Sequence, residues 1–340
     1  MSNEPVKLTT EERILPNLGL DLVRATEFTA LHVGRWLGLG NRERTHRTAT
    51  YAMFEGLNWI DMDGQIVIGE EGRLGYPSPL DSGRSVGTGH GPKLDVIVDP
   101  IDGTNSVVRG RPGAISVIGV APRGSMWSPT PAIYMDKIVV DHEGAEALLP
   151  ECMDAPAAWT LALIARAKKK SVRDLQIIVL DRPRHRDLID EIRAAGARVL
   201  LHFDGDTAGA LVAATPGAGA DILMGIGGVP EGVSAACAVK AMGGAMLGRL
   251  APQSPQERES LEANNLSTTR ILSCDDIVSS NQILLAVTGI TPGPLLDGVR
   301  YKGREAHTHS LLIRCESGTR RRILAEHSID WQEFDEKLGM

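Results

Sequence analysis

Two carboxylates and a hydroxyl leave an apolar stretch together in Leu94-Asp-Val-Ile-Val-Asp-Pro-Ile-Asp-Gly-Thr104. Asp99 and Asp102 stand on either side of an expected tight turn, close enough to share divalent cations. Thr104 falls at or just before an expected helix start, where free backbone N–H groups favour an anion. A metal and a phosphate could meet there. An ordinary strand-turn-helix corner with Asp102 as N-cap is the competing reading of the same string. Cations shared by two carboxylates gain from further carboxylates that converge on the pair. Glu70 follows the run Gln65-Ile-Val-Ile68, and Glu231 follows Gly225-Ile-Gly-Gly-Val-Pro230. Both stand at C-terminal edges of expected strands, where open α/β sheets keep their ligand crevices. Taken alone, Glu231 is equally a first-turn helix residue, with Pro230 at the first helical position.

The elements that must carry these groups are legible in the periodicity. Leu94, Val96 and Val98 alternate, and Pro100 is expected to stop ladder pairing and turn the chain. Apolar spacing predicts a helix over Leu20 to Leu37, ending at Gly38-Leu-Gly40, and a second over Thr45 to Asn58. A strand is expected from Gln65 to Ile68, then a long Gly/Pro/Ser-rich loop from Gly69 to Gly91, the kind of loop that serves function. Further strands are expected over Ala114 to Val120 and Ile133 to Val140. From about residue 150 the rhythm changes. Strands at Leu175 to Leu180, Ala197 to Leu201 and Asp221 to Met224 alternate with helices at Ala157 to Lys169, His185 to Ala195, Asp206 to Ala214 and Glu231 to Met242. That alternation predicts a parallel sheet covered on both faces. Strand-like runs return at Ile283 to Val287 and Ser310 to Cys315.

Composition narrows the field. At 340 residues the chain has room for one large domain or two lobes, and 42% hydrophobic content suffices for a core. Aromatics make up only 4%, so packing must rely on aliphatics and Ala. A formal net charge of −7 argues against nucleic acid as a partner, while leaving an anionic substrate open, since a site is governed by local charge. Cys152, Cys237, Cys274 and Cys315 lie far apart and form no C-x-x-C pair, against structural zinc and a disulfide framework. No apolar run is long enough to span a bilayer and the N-terminus is not signal-like, so a cytoplasmic protein without a membrane partner is expected.

The signature Asp99-Pro-Ile-Asp-Gly-Thr104 resembles that of the metal-dependent sugar and inositol phosphatase superfamily. Asp63-Gly-Gln-Ile-Val-Ile-Gly-Glu70, Val86-Gly-Thr-Gly89, Tyr134-Met-Asp-Lys137, Arg182-Pro-Arg-His185, Asp204-Gly-Asp206 and Gly225-Ile-Gly-Gly-Val-Pro-Glu-Gly232 resemble one branch, class II fructose-1,6-bisphosphatase. The resemblance runs from about Leu20 to about Asp330. It implies a layered α-β-α-β-α sugar phosphatase fold in two lobes. A mobile tail, residues 1–15, would precede a metal-binding lobe, 16–149, completed by 290–330, with a substrate-binding α/β lobe over 150–289. It implies hydrolysis of the 1-phosphate of fructose 1,6-bisphosphate, sedoheptulose 1,7-bisphosphate, or both. Mg²⁺ or Mn²⁺ would serve as cofactor, with Zn²⁺ a third candidate, and the enzyme would be a homo-oligomer, dimer or tetramer. By the same resemblance Glu70, Asp99, Asp102 and Glu231 are metal ligands. Thr104 orients the attacking water, with Asp102 and Glu70 in the catalytic group. Gly103, Thr104, Tyr134, Arg182, Arg184, Asp204, Asp206 and Gly228 hold the substrate. Arginine suits a phosphate because its planar donors bind two oxygens at once, and Asp204 and Asp206 would accept from sugar hydroxyls. Arg320-Arg-Arg322 reads as surface charge, with a subunit contact or a place near the substrate as alternatives.

The chain also departs from the family pattern. Arg42 and His46 occupy positions where the family carries a lysine and a metal-binding aspartate. Histidine at 46 would be a fifth ligand, one that suits Mn²⁺ or Zn²⁺ better than Mg²⁺. Gly72 and Leu74 replace acidic residues, and Asp102 is one methylene shorter than the glutamate common in this branch. A paralogue acting on another phosphosugar, or a sugar-phosphate-binding relative without turnover, therefore stays open. So does a nucleotide-binding oxidoreductase read from Met224-Gly-Ile-Gly-Gly228, although Pro230 takes the place of the third glycine.

Overall fold

The structure, a computed structural model, describes residues 17–70 and 75–329. The expected tail and the substituted positions Gly72 and Leu74 lie outside the described residues.

Helices α1 (Leu18–Gly34) and α2 (Arg42–Asn58) open the chain, followed by β1 (Asp63–Ile68), β2 (Ser85–Val86), β3 (Lys93–Asp102), α3 (Thr104–Val108), β4 (Ile115–Pro122) and β5 (Tyr134–Val140). Then come α4 (Ala157–Ala167), β6 (Gln176–Leu180), α5 (Arg186–Ala194), β7 (Arg198–His202), α6 (Asp206–Ala213), β8 (Ile222–Gly228), α7 (Val229–Ala241) and β9 (Ala245–Leu250). The chain closes with α8 (Pro255–Ala263), β10 (Leu272–Ser273), α9 (Cys274–Ile277), β11 (Leu284–Gly289), β12 (Arg300–Lys302), β13 (Glu305–Arg314) and β14 (Thr319–Ser328).

Two sheets result. The first runs β12-β13-β11-β4-β3-β1-β2 with β14 paired to β13, and the second runs β10-β9-β5-β8-β6-β7. Strand alternation assigns each face of the first sheet to a different core. Val96 and Val98 of β3 pack with Leu22 of α1 and Met53 of α2 on one side. Ile97 points the other way, into a core shared with Leu211 of α6, Val233 of α7 and Met135 of the second sheet. The far face of the second sheet packs Ile177 and Ile222 against Leu161 of α4 and Ile192 of α5. The layers therefore run α-β-α-β-α. Helix α7 lies between the two sheets and buries Ser234, Ala235, Ala236, Cys237 and Ala238 in succession, so its small side chains follow from an environment that is apolar all round. Scarce aromatics suit that narrow middle layer.

Three expectations are corrected. The second sheet is mixed rather than parallel: β6 pairs in parallel with β7 and β8, while β5 pairs antiparallel with β8 and β9. Strand β5, expected in the first lobe, is central to the second sheet; β11 joins the first sheet, as the family's architecture implies for the run Ile283 to Val287, but it does so before residue 290. Periodicity locates a strand but does not name its neighbour. Finally, β8 continues through Gly228, with Gly225, Gly227 and Gly228 paired to Lys137, Met135 and Tyr134 of β5. A glycine run inside a ladder is not a dinucleotide-binding turn, so the oxidoreductase reading fails.

Candidate active site

Pro100 was expected to end its strand; instead β3 bulges around it. Asp99 pairs with Val117 and Asp102 with Ile115, so two residues of β3 stand against Ser116 alone. In a regular strand, residues three apart point to opposite faces. The extra residue restores them to one face, the face that Ile115 and Val117 present to the middle layer. Both aspartates are therefore aimed between the sheets, and both are almost fully buried. Gly103 then turns the chain with φ 96°, and a Cβ there would stand 3.2 Å from the Ala114 Cα. Only glycine makes this turn without strain.

Strands β1 and β3 run parallel, with Ile68 level with Ile97, so the segments leaving both emerge at the same edge of the sheet. Glu70 leaves β1 there, almost fully buried, with its Oε2 2.8 Å from Nε2 of the buried His46 on α2. From the opposite side, Gly228 ends β8 as the residue just before α7, and a Cβ on it would fall 2.0 Å from Glu231 Oε2. The Glu231 side chain thus folds back across a glycine. Pro230 is the second helical residue rather than the first, since α7 starts at Val229.

A cleft of about 370 Å³ collects most of the expected site. Asp99, Asp102, Gly103, Thr104, Tyr134, Arg182, Arg184, Asp204, Asp206, Gly228 and Glu231 all line it. Glu70 and His46 are not among its lining residues. Among the described residues, no three His, Cys, Asp or Glu side chains converge as a metal-binding group. The expected five-ligand convergence is thus drawn as three carboxylates on the cleft wall and a Glu70–His46 pair. At Asp102 the reason is local, because backbone donors occupy both of its oxygens. Asp102 accepts from the backbone N–H of Asp206 at 3.1 Å and of Ala208 at 2.7 Å, capping α6 from another sheet. The cap reading was right in kind, although the helix it caps is distant in sequence. Burial, reinforced by the charges of Glu231, Asp206 and Asp204, pushes the Asp102 carboxyl up to about 8 despite the bond from Ala208.

Thr104 is the first residue of α3 rather than its cap, and its Oγ1 donates to the Ile101 carbonyl at 3.2 Å. Asp204 accepts from the Asn105 N–H at 2.9 Å and from Arg182 at 2.9 Å. Arg184 donates to the Ile226 carbonyl at 2.8 Å, with its guanidinium 5.3 Å from the centre of the Tyr134 ring. Both arginines are tied to backbone on one side, which leaves donors of the planar fork for a ligand.

The sequence profile described as bacterial fructose-1,6-bisphosphatase, glpX-encoded, matches residues 16–327. The chain belongs to that family. Fructose-1,6-bisphosphatase class 2 of Haemophilus influenzae is 37% identical, the alignment covering 92% of this chain and 96% of the relative. D-fructose 1,6-bisphosphatase class 2/sedoheptulose 1,7-bisphosphatase of Synechococcus is 36% identical, over 93% and 97%. Fructose-1,6-bisphosphatase 1 class 2 of Escherichia coli is 36% identical, over 92% and 96%. The chain is accordingly an enzyme, a phosphoric monoester hydrolase.

For a fructose-bisphosphatase-family site, several residues that the sequence reading noted without assigning a role also contribute. Lys137, fully buried in β5, pairs with the Asp206 carboxylate, and a Cβ on Gly227 would intrude on both. Arg42 lines the cleft and donates to Asn105 Oδ1 at 3.0 Å. His185 holds the arginine segment in place: its Nδ1 lies 2.7 Å from the Leu180 carbonyl, and its Nε2 accepts from the Ile226 N–H at 2.8 Å. Burial lowers its pKa, in keeping with a neutral ring that donates at one nitrogen and accepts at the other. The motif Tyr134-Met-Asp-Lys137 was the available signal for Lys137, yet nothing in the sequence names its partner.

Proposed function

We propose that this enzyme removes the 1-phosphate of fructose 1,6-bisphosphate, sedoheptulose 1,7-bisphosphate, or both, in a divalent-metal-dependent reaction. The observation that carries the reading is the bulge in β3. It brings Asp99 and Asp102 onto the face where Glu231 also stands, in the same cleft as Arg182 and Arg184. Hard carboxylate oxygens in a buried, mutually repelling cluster are the donor set that Mg²⁺ or Mn²⁺ prefers. Asp99, Asp102 and Glu231 would hold the metal, with Glu70 and His46 at the neighbouring position, where imidazole nitrogen favours Mn²⁺ or Zn²⁺ over Mg²⁺. The metal would neutralise phosphate charge and activate a water. Thr104 Oγ would orient that water with Asp102 and Glu70, and the N–H groups at Gly103 and Thr104 would face the phosphoryl oxygens.

Arg182, Arg184 and Tyr134 would receive the distal phosphate and the sugar, with Asp204, Asp206 and Gly228 completing that wall. A second reading, the same chemistry on another phosphosugar, is favoured by Asp204, whose oxygens already accept from Asn105 and Arg182 rather than standing open to hydroxyls. The four cysteines, none in a disulfide, suit the reducing cytoplasm. No helix among the described residues is long and apolar enough to cross a membrane. The test is phosphate release from a panel of ketose bisphosphates and other sugar phosphates with Mg²⁺, Mn²⁺ or Zn²⁺ beside a chelated control. Metal-dependent release, greatest with a ketose bisphosphate, is expected; a panel in which no substrate responds to metal overturns the reading.

A further inference from the structure

Strand β14 spans ten residues and pairs with β13 from Thr319 to Ser328 without a bulge. On its other edge, no strand among the described residues pairs with it. A long, regular, open edge is a template for another strand. Its residues are also complementary to themselves. Arg322, Leu324 and Glu326 share one face, all three exposed, with Leu324 at 76% the most exposed large apolar side chain described.

We propose that β14 is a self-pairing edge: a second copy of this chain docks antiparallel along it and joins the two large sheets into one. A two-fold axis perpendicular to a sheet keeps its faces, so antiparallel partners come from the same face and the axis passes through a residue. An axis at Leu324 sets Leu324 against the partner's Leu324, and Arg322 against the partner's Glu326 on both sides of it. Arg321 then meets the partner's His327, an imidazole whose pKa burial lowers, so no like charges face each other. Neighbouring registers do worse. An axis at Arg322 brings that guanidinium onto its own copy, one at Ile323 opposes Leu324 to Arg322, and one at Ala325 opposes Leu324 to Glu326. Arg320 and Arg322 are meanwhile anchored to the Met242 and Leu295 carbonyls, which steadies the strand, and a guanidinium retains further donors for a carboxylate.

Sedimentation of the full chain tests it. A dimer is expected whose dissociation constant rises at least tenfold with Leu324→Lys and with Glu326→Arg, and returns when Arg322→Glu is added to Glu326→Arg. Phosphate release and circular dichroism should stay unchanged, since neither Leu324 nor Glu326 lines the cleft. Hydrogen exchange on the unsubstituted chain gives a second readout: the outward amides of Thr319–Ser328 should slow as concentration rises. A monomeric chain, a dimer indifferent to Leu324→Lys and Glu326→Arg, or a charge swap that fails to restore pairing overturns the proposal.

Discussion

At the scale of single residues, two positions separate chemistry from structure. Thr104 Oγ1 makes one buried hydrogen bond, to Ile101, worth about 1 kcal/mol. Thr104→Ala is therefore expected to lower stability by about that much in urea titration, while turnover falls by roughly 10²-fold or more. Thr104→Ser should recover most of the activity; equal losses in both measurements would make the residue merely structural. Gly228 offers the complementary case. A Cβ there would collide with the flexible end of Glu231 rather than with backbone, so Gly228→Ala should leave the melting temperature nearly unchanged. The displaced carboxylate should instead raise the metal concentration needed for half-maximal rate. Calorimetric titration with Mn²⁺ checks this without an activity assay.

At the scale of elements, the site is a seam where α6 meets both sheets. Asp102 of β3 caps α6 through the N–H groups of Asp206 and Ala208, and Lys137 of β5 pairs with the Asp206 side chain. Lys137 thus acts through Asp206 as a positioning residue. Lys137→Met leaves a buried carboxylate without its cation, which costs about 3–5 kcal/mol. Lys137→Met with Asp206→Asn should be milder, because the uncompensated charge is gone. Urea unfolding of both variants distinguishes these outcomes, and a milder single than double variant would contradict the pairing. The bulge belongs to this scale too: proline tolerates a bulge because it has no N–H to leave unpaired, and that one irregularity sets the direction of Asp102.

At the scale of the whole molecule, α1 is joined to the first sheet through a buried polar contact. Glu27 accepts from Thr308 at 3.1 Å and Ser310 at 3.2 Å. Burial raises the Glu27 pKa, although those two bonds and Arg24 lower it in part. A carboxyl with a raised folded pKa favours folding while protonated. Stability from this group is therefore present below the ordinary carboxylate range and is lost as pH rises to the raised folded value. The melting temperature of Glu27→Gln should fall less than that of the unsubstituted chain over that interval; parallel curves would exclude Glu27 as the titrating group.

Most of the order of helices and strands, and the pairing of Asp99 and Asp102 beside Thr104, were readable directly, because apolar period and the Asp99-to-Thr104 string are local properties, while Tyr134, Arg182, Arg184, Asp204, Asp206 and Gly228 came from family resemblance. Strand β9, interrupted by Gly248 and Arg249, and β14, rich in arginine, carried no such period and were missed. What tertiary structure alone decided is pairing. It assigned β5 to the second sheet, ran β8 through its glycines, turned Asp99 and Asp102 to one face, and set Glu70 against His46. Neighbour choice in a sheet depends on segments far apart in the chain, and a single inserted residue reverses the direction of every side chain beyond it.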